Sequence, residues 1–176
     1  MTTTYNKARA IEEATRILQE FAISTVPVPV EKIAKGLGAI VQYAPLDEEL
    51  SGMAYVKDGK PIIGVNALHH PNRQRFTIAH EIAHLVLHRD YITEQVHVDK
   101  SFTMNRDSVS ATGTDALEIE ANAFAAQLLM PENLVRDALA AELELDDEPA
   151  ISAVAKRFKV SAAAIQNRLI GLANKG

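Results

Sequence analysis

The chain has 176 residues, of which 47% are hydrophobic and 23% are charged, which is typical of one globular domain and excludes a disordered or collagen-like chain. It has no run of about 18 apolar residues that could span a bilayer, and residues 1–6 lack the pattern of a secretory signal, so we expect a cytoplasmic protein. The absence of cysteine excludes disulfides and thiolate metal sites, so any metal ion must be bound by His, Asp or Glu.

The charges are distributed unevenly along the chain. The net charge of -5 argues against a protein that coats nucleic acid, since phosphate binding needs a basic surface. Residues 150–176 nevertheless contain cations and no acidic residue, and they follow an acidic run that ends at Pro149. This change of sign predicts a boundary between a main domain over residues 1–148 and a basic helical pair over residues 149–176, packed on the same domain.

The first part of the chain predicts two helices and a small sheet. Apolar residues at helical spacing predict an amphipathic helix over about residues 5–22, and glycines predict the end of a short helix over residues 30–35. A strand over residues 39–43 follows. Asp58-Gly59 between two apolar runs predicts a β-hairpin within residues 52–65, whose edge could accept an extended peptide. We therefore expect an α+β fold, mainly helical, with a three-stranded antiparallel sheet.

Two longer helices are predicted in the second half. Apolar spacing predicts one over residues 72–88, with Asn72 as its cap, and another over residues 114–129. The polar segment between them contains His97, Arg106 and Ser110, and extends to Gly113. A functional loop and a disordered insertion are equally compatible with such a segment.

The helix predicted over residues 72–88 contains the H-E-x-x-H pattern, as His80-Glu81-Ile82-Ala83-His84. Two imidazoles four residues apart lie on one face of a helix, about one turn apart, so both can bind one ion. Neutral imidazole suits zinc, which in catalytic sites commonly has three protein ligands and one open position. Glu81 lies beside that position, where its carboxylate could take a proton from water and pass it to a leaving amine.

The residues around the motif are apolar, which predicts that this helix is largely buried. Ile78, Ile82 and Leu85 are among them. Buried histidine and glutamate side chains need partners or a metal ion to offset their loss of hydration. A solvated, charged helix face would not have this composition, so the context favours a metal site.

The helix predicted over residues 114–129 offers a third ligand. Glu118 and Asn122 are one turn apart, so Glu118 can bind the ion while the Asn122 amide orients one imidazole. Glu120 is the competing choice, but it lies about 200° around the helix from Glu118, so only one of the two can face the site. Glu118 is favoured because it shares a face with Asn122. The alternative is that both glutamates lie on the surface.

Two blocks of sequence resemble the ImmA/IrrE family of zinc-dependent metallopeptidases. The first runs from Arg75 to His88 and includes the H-E-x-x-H residues, and the second runs from Glu118 to Pro131. The resemblance extends more loosely over most of the chain. It implies a gluzincin-like site with a catalytic base, Glu81, and three zinc ligands, His80, His84 and Glu118.

The resemblance also implies a substrate class. Members of the family cleave a helix-turn-helix transcriptional repressor at a specific site and so derepress genes of a mobile element or a stress response. Some members carry a helix-turn-helix domain at the N-terminus, for which there is no room before Ala39, so the chain resembles a stand-alone peptidase domain. Mn²⁺ or another divalent ion could replace zinc, because ligand sets alone rarely determine the metal.

Two functions from other classes remain compatible with the residues. One is a regulator or toxin-antitoxin component that binds a metal ion and cleaves nothing, although such a site would need only ligands and not Glu81. The other is a DNA-binding protein that uses the basic helical pair, which has the dimensions of a helix-turn-helix. We favour a hairpin packed into the core, because five cations are few for a phosphate footprint, and we do not expect direct nucleic-acid binding.

Three further histidines lie near the ends of the predicted helix. His88 continues the series but lies about 12 Å along the helix from His80, too far to share an ion, so we expect it to be a cation near the helix C-terminus. His69 and His70 precede Pro71 at the helix start, where surface or capping roles are expected.

Overall fold

The computed structural model describes residues 5–94, 97–100, 113–142 and 147–174, and it shows an α+β fold that is mainly helical, as predicted. Among the described residues no helix is both long and apolar enough to cross a membrane. The helices are α1 Lys7–Glu20, α2 Val30–Gly36, α3 Pro71–Leu87, α4 Arg89–Glu94, α5 Gly113–Leu129, α6 Glu132–Glu142, α7 Asp147–Phe158 and α8 Ala162–Ala173. The strands are β1 Ile40–Ala44, β2 Leu50–Lys57, β3 Lys60–Asn66 and β4 His97–Lys100.

The sheet differs from the predicted antiparallel three-stranded one. It is mixed, with the order β1-β3-β2-β4, and β1 pairs with β3 in parallel. Asn66, fully buried at the end of β3, is hydrogen-bonded to the connection between β1 and β2. Its side-chain amide donates to the carbonyls of Leu46, Asp47 and Leu50, at 3.3, 3.2 and 2.8 Å. These bonds hold the β1–β2 connection across the end of β3, so β3 lies between the two strands.

The predicted hairpin is present between β2 and β3. Asp58 and Gly59 both have positive φ angles, 51° and 73°, which is the geometry of a two-residue turn that matches strand twist. The edge of β2 that could have accepted a peptide is paired with β4, a short strand in the polar segment that the sequence did not predict. The outer strands of the sheet are therefore β1 and β4.

Helix α3 is the central element of the fold and packs against both the sheet and α5. Its middle, from Thr77 to His84, is buried without interruption. The cap at its start is His70, whose side chain accepts a bond from the Asn72 backbone N–H, and Pro71 is the first helical residue. The prediction of Asn72 as the cap is therefore wrong, because Asn72 lies inside the helix and donates instead to the Val160 carbonyl at 3.2 Å.

The basic helices α7 and α8 contribute apolar side chains to the same buried cluster as α3 and α5, including Phe158 and Ile165. Ser161 caps α8 by accepting from the Ala164 N–H, as expected of a serine before a helix. One of the five cations, Arg168, is only 8% exposed and donates to the Met130 carbonyl at 3.0 Å. Arg168 therefore joins α8 to the end of α5 and is not part of a cationic surface. The division of the chain at residue 148 stays a prediction.

Candidate metal centre

Helices α3 and α5 bring together the three residues that the sequence predicted as ligands. His80 Nε2 lies 3.1 Å from His84 Nε2 and 3.1 Å from Glu118 Oε2, and His84 Nε2 lies 3.4 Å from Glu118 Oε1. Ligand atoms about 2.0–2.1 Å from a tetrahedral zinc ion lie about 3.3–3.4 Å from one another. Each histidine faces a different oxygen of Glu118 at close to this spacing, and one donor atom from each of the three residues lies within 4.8 Å of the others, so the donor set fits a small divalent ion.

The side chains of this cluster are largely removed from water, so a cation would offset the free-energy cost of burying the Glu118 charge. His80 is 2% exposed and His84 is fully buried, while the Glu118 side chain keeps 15% of its surface exposed. Burial alone would raise the pKa of Glu118, but the neighbouring imidazoles of His80 and His84 outweigh burial and hold that pKa far below its usual range. Glu118 is therefore a carboxylate, which supplies the negative charge that a divalent ion would balance.

Asn122 lies one turn after Glu118 on α5, and, as the sequence predicts, it contacts one of the two imidazoles. Its side-chain oxygen is 3.1 Å from His80 Nδ1, so it accepts a hydrogen bond from that nitrogen. A proton on Nδ1 leaves Nε2 as the nitrogen that faces His84 and Glu118. Asn122 thus selects the tautomer of His80 that a metal ligand needs.

Glu81 is fully buried on the side of α3 that packs against β2. The backbone of β2 lies close to α3 at Gly52, where an added Cβ would lie 3.6 Å from Glu81 Oε1 and 2.4 Å from Thr77 Cγ2. Glycine allows the strand backbone to contact the motif helix directly. The sequence did not indicate this role, because an isolated glycine at the start of a strand has many explanations.

Replacing Gly52 by alanine is expected to destabilise the protein by about 1–3 kcal/mol, since the new methyl group would overlap Thr77 and the Gly64 carbonyl. Urea unfolding followed by circular dichroism measures this change. Gly171→Ala in α8 is the matched control, because nothing lies within 4 Å of a Cβ there and alanine favours a helix by up to about 1 kcal/mol. Equal stability of the two variants would contradict the close approach.

Glu120 and His88 form a second cluster behind His84, which the sequence did not predict. His88 Nδ1 is 3.0 Å from His84 Nδ1, and His88 Nε2 is 3.0 Å from Glu120 Oε2. Glu120 therefore does not join the pair that contacts Glu118. Burial would raise the pKa of Glu120, but its bonds with His88 and with the Asn6 N–H lower it. Both glutamates contact histidines, so the alternative of two surface glutamates is excluded.

The remaining histidines lie outside the cluster of proposed metal ligands. His88 is the C-cap of α3, as its position suggested, but it is buried in a contact with Glu120 and is not a surface residue at the helix end. His70 has the predicted capping role, and His69 contacts the Asn66 amide at 3.3 Å. The side chain of His97, together with Arg106 and Ser110, lies outside the described residues, so the loop they were expected to form stays a prediction.

The fold and the cluster together define an α+β protein with a candidate metal centre of the H-E-x-x-H type. The chain belongs to peptidase family M78, since the model of the IrrE N-terminal-like domain matches residues 34–170. This confirms the resemblance found in the sequence.

A solved structure of a Mycobacterium tuberculosis transcriptional regulator is similar to the chain, with a TM-score of 0.64 and 22% sequence identity. The match covers 94% of this chain and 47% of that one, so the chain spans about half the length of the regulator. At this identity the similarity shows a shared fold. No curated protein matches the chain.

Proposed function

We propose that the protein is a zinc-dependent endopeptidase that cleaves a helix-turn-helix transcriptional repressor at a specific site. The observation that carries this proposal is the convergence of His80, His84 and Glu118 within 4.8 Å, with Glu81 next to His80 on the same helix. Membership of a peptidase family supports peptide hydrolysis, and the sequence resemblance to ImmA/IrrE proteins supports a repressor as the substrate.

In this function His80, His84 and Glu118 hold the ion. A bound zinc ion supplies Lewis-acid chemistry, which polarises a carbonyl group and lowers the pKa of water. Glu81 takes a proton from the attacking water and then delivers it to the nitrogen of the leaving amine. Asn122 keeps His80 in the required tautomer throughout, because the amide oxygen accepts from Nδ1.

The proposal needs Glu81 as well as the ligands, and this distinguishes it from a metal site that only stabilises the fold. A structural ion is held by its ligands alone, commonly four of them, and leaves no position for a substrate. Among the residues that the structure describes, three side chains converge, and the fully buried Glu81 lies next to one of them. This donor set is typical of a catalytic centre.

The experiment is to incubate the zinc-loaded protein with the helix-turn-helix repressor encoded nearest to its gene and to resolve the products by intact mass. We expect one cut that requires zinc and is absent with a chelator. A metal-loaded protein that binds the repressor without cutting it would instead support a non-proteolytic regulator. Zinc-independent cleavage would exclude the proposed mechanism.

A further inference from the structure

A series of buried hydrogen-bond contacts extends from His84, on the side away from the three converging ligand atoms. His84 Nδ1 contacts His88 Nδ1 at 3.0 Å, His88 Nε2 contacts Glu120 Oε2 at 3.0 Å, and Glu120 Oε1 accepts from the Asn6 backbone N–H at 2.5 Å. The residues His84, His88 and Glu120 are 0%, 7% and 8% exposed, respectively. This series of contacts, the relay, joins three helices. His84 and His88 lie at the end of α3, Glu120 lies in α5, and Asn6 lies at the start of α1.

The direction of these hydrogen bonds follows from the Asn6 end. A backbone N–H can only donate, and a carboxylate can only accept, so Glu120 accepts at both oxygens. His88 must therefore donate through Nε2–H to Glu120, which leaves its Nδ1 available to accept from His84. Because His88 Nδ1 accepts, His84 donates through Nδ1–H, which leaves His84 Nε2 unprotonated where it faces His80 and Glu118.

We propose that His88 and Glu120 are positioning residues that set the tautomer and the ring orientation of His84 and thereby increase its affinity for the metal ion. This inference rests on the metal centre of the proposed function. Outer contacts of this kind typically change metal affinity by about 10–100-fold. His88 is itself held in place, because it is the C-cap of α3 and its backbone N–H donates to the His84 carbonyl at 3.0 Å.

The two histidine ligands are supported differently. His80 Nδ1 contacts the amide of the exposed residue Asn122, whereas His84 Nδ1 contacts a relay of two buried side chains that ends on a backbone group. Charged acceptors form stronger hydrogen bonds than neutral ones, and burial strengthens them further. We therefore expect the relay to contribute more to metal affinity than Asn122 does.

Glu120→Gln tests the direction of the relay. The glutamine oxygen can still accept from Asn6, but its NH₂ group then faces His88 Nε2, which must become an acceptor. His88 Nδ1 would carry the proton and His84 would be pushed toward the tautomer protonated on Nε2, which cannot bind a metal ion. We expect zinc affinity, measured by competition with a chromogenic chelator, to fall by about 10–100-fold.

His88→Phe tests the same relay at its centre, because phenylalanine fills the site but neither accepts nor donates. We expect a similar loss of zinc affinity in this variant. In the double variant Glu120→Gln/His88→Phe the second substitution should add less than a twofold change, since the effect of Glu120 is carried through His88. Two substitutions that merely loosened the fold would each lower zinc affinity independently.

Gln127→Glu is the matched control. Gln127 is also buried on α5 and also contacts α1, through Thr15 Oγ1 at 3.1 Å, but it is not part of the relay. The zinc affinity of the Gln127→Glu variant should equal that of the wild type. Circular dichroism measures whether each variant is folded at the temperature of the titration. If one of the relay variants is unfolded, Glu120→Ala is used in its place.

The outcomes separate this inference from the proposed function. A wild-type protein that binds no zinc, or binds it independently of His80 and His84, would overturn the metal centre and the relay together. Wild-type zinc binding with unchanged affinity in Glu120→Gln and His88→Phe would overturn the relay alone. Additive losses in the double variant would show that the two residues act separately, which also overturns the relay.

Discussion

Glu81→Gln is expected to abolish repressor cleavage while leaving zinc binding intact. Glutamine has the same size as glutamate, so it can occupy the fully buried position beside β2. It cannot accept a proton from water, and positioned general bases typically contribute about 10²–10⁴-fold to the rate. Because Glu81 is outside the cluster formed by His80, His84 and Glu118, we expect one equivalent of zinc to remain bound.

The measurement combines intact-mass detection of the repressor fragments with the zinc content of the same sample. Glu13→Gln is the matched control, since it makes the same chemical change in a partly exposed glutamate of α1 that pairs with Arg16. That variant should cleave at the wild-type rate. Unchanged cleavage by Glu81→Gln would remove Glu81 as the base, and loss of zinc from this variant would make it a ligand.

Glu118→Ala is expected to lower zinc affinity by more than about 100-fold, which exceeds the usual effect of an outer contact. The substitution removes one of three converging ligands and the negative charge that faces His80 and His84 at 3.1 and 3.4 Å. Cleavage should be lost together with the zinc. Glu118 and Glu120 thus differ in kind, because the first is proposed to touch the ion and the second to act through His88.

Equilibrium dialysis against zinc at several concentrations measures this loss. Glu132→Ala, which removes a partly exposed carboxylate paired with Arg136 in α6, is the control and should keep wild-type affinity. A small effect of Glu118→Ala together with loss of zinc in Glu120→Ala would mean that Glu120 is the third ligand. That result would overturn both the assignment of the ligands and the relay.

The parts of the site that could be predicted from the sequence are those with local spacing. His80 and His84 are four residues apart on a helix, and so are Glu118 and Asn122, and this spacing alone puts each pair on one face. The helical angle shows that only one of Glu118 and Glu120 can face the site, and Glu118 is favoured because it shares a face with Asn122. The α+β class, the Asp58-Gly59 turn and the approximate bounds of α1, α2, α3 and α5 follow from similarly short-range patterns, whereas α4 lies in the segment expected to be polar and irregular.

The parts that could not be predicted depend on contacts between distant segments. The parallel pairing of β1 with β3 is associated with the Asn66 amide, which bonds to carbonyls 16–20 residues earlier in the chain. Glu120 meets His88 across 32 residues and Asn6 across 114. Strand β4 has only four residues in a polar segment, too short for a periodic pattern to emerge.

The seventeen-residue helix α3 supplies both the middle of the core and two proposed metal ligands. The imidazoles of His80 and His84 are buried and hydrogen-bonded through Nδ1, so their rotamers are already restricted when the chain has folded. Capture of an ion at their Nε2 atoms would then require little further loss of side-chain entropy. Folding therefore restricts the ligand side chains before the ion binds, which increases affinity for the ion. A loosely folded chain with the same ligands would bind the ion much more weakly.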